Sequence, residues 1–128
     1  MGAGEPKRTA VIERGLRVLT SAAVQGAPKD VAAAANFEGT LNSREKYAIK
    51  AAAKWARGGF KKKRTDTVMG GLIVMAHAVF NSKPHAIAQL MGRGGLTAKE
   101  RYGIKAAADW IFEIQIFDVI TDPCQGDT

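Results

Sequence analysis

Residues 45–55 read EKYAIKAAAKW, and residues 100–110 read ERYGIKAAADW. Counted from Leu41 and Leu96, fifteen aligned positions give nine identities: Leu, Glu, Tyr, Ile, Lys, three Ala and Trp. With one residue of slip the match extends upstream. Gly15-Leu16 then aligns with Gly71-Leu72, Val18 with Val74, Ala22 with Ala78 and Pro28 with Pro84. The chain reads as two copies of a unit of about 55 residues. Two copies are fewer than an open solenoid needs. The expectation is a single domain over residues 1–128, with repeat units at approximately 9–58 and 65–112 and a basic linker at 58–64.

Each unit is expected to hold three helical pieces. The first spans roughly Thr9 to Val24, and Asp66 to Phe80 in the second copy. Ile12, Leu16, Leu19 and Ala23 recur there at helical spacing. A short piece follows a proline, at Pro28 to Ala35 and Pro84 to Met91. Proline suits a first helical turn because its missing N–H has no partner there to lose. Gly39 and the Gly92–Gly95 run are read as the stops. The third piece opens on Asn42-Ser-Arg-Glu45 and on Thr97-Ala-Lys-Glu100. Both fit a capping box, in which the cap side chain and the glutamate satisfy each other's backbone N–H. Glu45 and Glu100 therefore have a structural task that needs no active site. The fold class expected is all-α, a compact bundle of about six helices built from two tandem pseudo-symmetric units.

A helical wheel places Leu41, Ala48, Ala52 and Trp55 on one side of the third piece, with Tyr47 and Ala51 widening one border. Lys46, Lys50, Lys54 and Arg57 fall on the other side, within a sector of about 80°. The second copy keeps Arg101 and Lys105 in that sector but continues with Asp109 and Phe112. The inward face is duplicated and the basic face is not. Charge follows the same division. The chain carries +7 overall, with +9 on residues 1–64 and −2 on residues 65–128. Such asymmetry points to a polyanionic partner or to complementary contacts between copies.

The cations cluster further. Arg44, Lys46, Lys50, Lys54, Arg57, Lys61, Lys62, Lys63 and Arg64 make nine basic residues against one acidic residue between positions 44 and 64. Flexible lysine and arginine side chains suit phosphate contacts, which give affinity with little sequence preference. The outward face of the duplicated helix is mostly lysine, which makes it a poor reader of base edges. Zinc-finger spacing, an RRM aromatic motif and a KH loop are all absent from the sequence.

Past Trp110 the chain reads IFEIQIFDVI. Three readings compete for this stretch: a helix continuing into the core, a short strand in which Ile114 and Ile116 alternate with Glu113 and Gln115, or a subunit interface. Phe112, Ile116 and Phe117 are the candidate interface residues.

No catalytic constellation can be assembled from spacing. His77 and His85 lack a third ligand for a metal, and Cys124 is a single, isolated thiol. The Gly92-Arg-Gly-Gly95 stretch lacks the Lys and Ser/Thr of a phosphate loop and is read as a joint between helices. The N-terminal residues have no apolar run of signal-peptide length, and no run of 18 uncharged apolar residues is present. A non-secreted protein is expected, intracellular or virion-associated, without cofactor, metal or transmembrane association. The expected function is non-enzymatic: an architectural or packaging protein, of the nucleocapsid or coat kind, contacting the phosphate backbone of nucleic acid or another polyanion. The alternative is a self-assembling homo-oligomer that builds a filament, shell or ring without direct nucleic-acid binding.

Overall fold

Threonine opens the first helix of each copy. In the computed structural model, which describes residues 6–121 and side chains through residue 116, Thr9 and Thr65 each accept a backbone N–H three residues on, from Ile12 at 3.3 Å and Val68 at 3.2 Å. These caps start α1 (Ala10–Gln25) and α4 (Asp66–Asn81). Pro28 and Pro84 start the short helices α2 (Pro28–Ala34) and α5 (Pro84–Leu90). The two capping boxes start α3 (Ser43–Arg57) and α6 (Ala98–Thr121). Asn42 N–H donates to Glu45 at 2.9 Å and Glu45 N–H donates back to the Asn42 side chain at 2.8 Å. Thr97 and Glu100 repeat the exchange at 2.9 and 3.1 Å. The described residues form six helices and no strand, so the fold is all-α.

The short helices end alike. Asn36 and Gly92 take positive φ, 63° and 70°. The next N–H then reaches back to close the helix, Phe37 to the Ala32 carbonyl at 2.8 Å and Arg93 to the Ala88 carbonyl at 2.9 Å. That is the left-handed helix stop, favoured by Gly and tolerated by Asn. The terminator in the first copy is thus Asn36 rather than Gly39, which lies beyond it.

The helices pack across the copies. α1 makes its largest contact with α6, and α4 makes its largest contact with α3. At the crossings the backbones nearly touch. A Cβ built on Gly15 would overlap the Gly103 carbonyl, and one built on Gly71 would overlap the Ala48 carbonyl. Gly15 aligns with Gly71, and Gly103 with Ala48. The tryptophans obey the same correspondence. Trp55 Nε1–H donates to the Lys62 carbonyl at 2.8 Å, and Trp110 Nε1–H donates to the Pro6 carbonyl at 3.2 Å. Lys62 and Pro6 each stand three residues ahead of a threonine cap.

One core runs through all six helices. Leu16, Leu72, Met75, Ile87 and Trp110 are its large buried members, interleaved with Ala32, Ala52, Ala76, Ala107 and Ala108. The 111–120 segment is helical, the continuation of α6. Ile111 and Ile114 are completely buried, a burial worth about 1.5–3 kcal/mol for each side chain.

The wheel places one residue wrongly. Tyr47 is 70% exposed and Tyr102 is 68% exposed, so neither flanks the core. The buried arc of α3 takes in Ile49, Ala53 and Ala56 as well as Ala48, Ala52 and Trp55. Two helices, α1 and α4, cover α3 at once, and together they draw its buried arc away from Tyr47.

Adjacent glycines in α4 test this packing. Gly71 meets the α3 backbone, whereas a Cβ on Gly70 would meet only Ala48 Cβ at an ordinary 3.9 Å. Gly71→Ala is expected to lower stability by about 1–3 kcal/mol or more through overpacking. Gly70→Ala is expected to raise it by about 0.5–1 kcal/mol through helix propensity. Urea unfolding midpoints of the two variants check both signs.

Candidate nucleic-acid interface

α3 has its buried side committed to α1 and α4, so its remaining surface is free to carry charge. Arg44, Lys46, Lys50, Lys54 and Arg57 are all exposed along it. Glu45, the acidic residue within this set, is occupied at the N-cap. No ion pair joins these cations to an acidic side chain among the described residues.

The linker that follows is anchored, not loose. Gly59 and Phe60 take positive φ of 79° and 64°, which folds the chain back so that Phe60 is buried. Its ring meets Trp55 edge-on at 5.0 Å. With the Trp55–Lys62 hydrogen bond, this fixes the linker backbone at two points while the side chains of Lys61, Lys62 and Lys63 remain exposed. The stripe of α3 is therefore followed in the chain by three exposed lysines on an anchored backbone.

Arg64 stands apart from that row. It is half-buried, with its guanidinium 5.7 Å from the centre of the Trp110 ring. Arg8, its aligned partner, lies 5.5 Å from Trp55, 5.1 Å from Phe60 and 5.9 Å from Trp110. Arg8 also pairs with Glu13 at 3.0 Å and donates to the Phe60 carbonyl at 3.4 Å. Planar guanidinium groups stack on aromatic faces in this way. Arg8 and Arg64 brace the tryptophan end of the bundle.

Two further residues belong to the surface. Arg17 of α1 is exposed and lies 5.0 Å from the Phe60 ring, which puts it beside the linker. Tyr47 is exposed on α3, one turn from Arg44 and one turn from Lys50. Its wheel position next to Lys54 is a legible signal. Arg17 has no such signal, because its place depends on the Phe60 turn.

The candidate interface residues of α6 divide. Phe112 is half-buried, with His77 at 5.5 Å and Phe80 at 5.0 Å. Ile116 is exposed, and the side chain of Phe117 lies outside the described residues, as does Cys124. His77 fills an aromatic cluster, with Phe37 at 6.2 Å on its other side. Among the described residues no group of three or more His, Cys, Asp or Glu is placed to hold a metal. No described helix is long and apolar enough to cross a membrane.

The glycine joint is braced by an ion pair. Arg93 grips Glu100 with both terminal nitrogens, at 2.8 and 2.6 Å. That grip, followed by the Thr97 N–H, holds the Glu100 carboxyl down to about 2 from an ordinary 4.5. Glu100 in turn raises the Arg93 guanidinium. A carboxylate depressed in the folded state stabilises the fold above its unfolded pKa and loses that contribution as pH falls through the folded one.

Set against known proteins, the chain matches no family model, no curated protein and no solved structure.

Glu100→Gln keeps the capping geometry, since a capping box accepts Gln, but removes the charge. The variant is expected to be less stable than the wild type at neutral pH. The gap should close as pH falls from above 4.5 toward 2. Thermal unfolding of both proteins across that window checks it.

Proposed function

We propose that this protein binds nucleic acid through the phosphate backbone, using the exposed face of α3 and the anchored linker, and that it serves as an architectural or packaging protein without catalysis. One observation carries this reading. Arg44, Lys46, Lys50, Lys54, Arg57, Lys61, Lys62 and Lys63 are exposed and unpaired with acidic groups among the described residues. A solvated face meant for solubility alone gains nothing from a linker pinned by Trp55 and Phe60. A phosphate-binding face does gain, because fixed backbone lowers the ordering cost of each contact. Lysine dominates the set, which favours contact with the backbone over readout of bases.

The binding test is a salt titration of fluorescence anisotropy with duplexes of unrelated sequence. Affinity is expected to fall steeply with salt and to vary little with sequence. Reversing Lys50, Lys54, Arg57 and Lys62 to Glu is expected to abolish binding at moderate salt. Undiminished binding by that variant would remove α3 and the linker from the interface.

A second reading rests on the opposite copy. Phe80 is 59% exposed and Ile116 is 61% exposed, with half-buried Phe112 against Phe80. Exposed apolar groups gathered in this way favour self-association. On this reading the wild type sediments as an oligomer without nucleic acid, and Ile116→Lys shifts it toward monomer. A wild type that stays monomeric at high concentration would reject it.

A further inference from the structure

The repeat retains one exposed set that core packing does not explain. Lys46, Tyr47 and Lys50 on α3 align with Arg101, Tyr102 and Lys105 on α6, and all six are exposed. Farther along the same helix surfaces the copies part, with Asp109 in place of Lys54 and Phe112 in place of Arg57. A tyrosine ring left 68% in water beside two cations gains little for the fold, since an exposed ring buries little area.

Beside Tyr102 the surface is hollow. A groove of about 360 Å³ opens between α4, α5 and α6, with Tyr102, Arg101 and Lys105 at its rim. Its floor is apolar: Val79, Pro84, Ile87 and Ile104, with Ile87 and Ile104 almost wholly buried. Arg101 is steadied by donating to the Leu96 carbonyl at 3.0 Å, which spares the rest of its guanidinium for an anion. The site ends one turn beyond Lys105, where Asp109 reverses the charge.

A flat aromatic ring, an apolar floor and two cations suit a ligand that is both planar and anionic. In duplex nucleic acid the faces of the bases are stacked away, and backbone contacts use neither ring nor apolar floor. An unpaired nucleotide offers complements to all of them: an apolar base face for the Tyr102 ring and the apolar floor, and a phosphate on each side for the cations.

We propose that the groove beside Tyr102 is a second nucleic-acid contact, specific for single strands. An unpaired base lies against the Tyr102 ring while its flanking phosphates meet Arg101 and Lys105. The choice of ligand class rests on the reading of the α3 face as a phosphate contact, but the residues are distinct from it.

The test compares a thymidine oligomer with a duplex of equal length at fixed salt. Tyr102→Leu keeps the bulk and removes the ring, and Tyr102→Phe restores the ring. Removal of one stacking contact is expected to weaken oligomer binding roughly 5- to 150-fold. Duplex affinity is expected to stay within about two-fold, because backbone contacts carry it. Tyr102→Phe should recover most of the loss, and oligomers carrying bromodeoxyuridine should photo-cross-link at Tyr102. Unchanged oligomer binding by Tyr102→Leu would overturn the groove as a contact. If the α3 charge reversal still abolished binding in that case, the phosphate-face reading would survive alone. An equal loss for oligomer and duplex would overturn the single-strand specificity. Binding of neither form by the wild type would overturn both readings.

Discussion

The fold turns on two places where helix backbones almost touch. Gly15 on α1 meets Gly103 on α6, and Gly71 on α4 meets Ala48 on α3. A larger side chain at either first-helix glycine would push the helices apart, and close-packed interiors do not yield freely to added volume. Each crossing joins one copy to the other, and the buried residues of both form a single cluster. The alanine-rich composition follows from the same constraint. Helices this close leave room for Ala52, Ala76, Ala107 and Ala108, while Leu16, Leu72 and Trp110 fill the space around the crossings.

This interlock decides which surfaces can vary. The inward arcs of α3 and α6 answer to two helices each and have stayed alike. The outward arcs lie away from both crossings, although Phe112 on α6 packs against His77 and Phe80. Lys54 can therefore become Asp109, and Arg57 can become Phe112, without disturbing the crossings. The tryptophan end adds a second division, this time among the cations. Arg8 and Arg64 are spent on aromatic rings, while Lys61, Lys62 and Lys63 project from a backbone that Trp55 and Phe60 hold. One copy thus presents a cationic edge, and the other presents exposed apolar groups, Asp109 and a groove rimmed by Arg101 and Lys105.

Local chemistry made much of this legible. The two capping boxes start α3 and α6 where hydrogen-bonding rules put them, and Pro28 and Pro84 do the same for the short helices, while the caps at Thr9 and Thr65 emerge from the structure. The lysine stripe of α3 is exposed as its spacing implies. The errors lie where a neighbour decides. Tyr47 borders both the apolar and the basic sectors of the wheel, and only the joint cover of α1 and α4 turns it outward. Arg64 looks like one more linker cation until Trp110 is beside it. Asn36 is hard to see as a terminator because Gly39, close behind it, is the more usual residue for a positive φ. The continuation of α6 past Trp110 is ambiguous in sequence for a related reason, since Ile114 and Ile116 alternating with Glu113 and Gln115 fit a half-buried strand as well as a helix.

The proposed role of the cationic edge is to hold nucleic acid. The most direct measurement is the ratio of absorbance at 260 to 280 nm after purification at low ionic strength without nuclease. A ratio well above that of the same protein washed in high salt is expected, since phosphate contacts release as counterions return. A protein that emerges at low salt with the same ratio as the washed sample would contradict it.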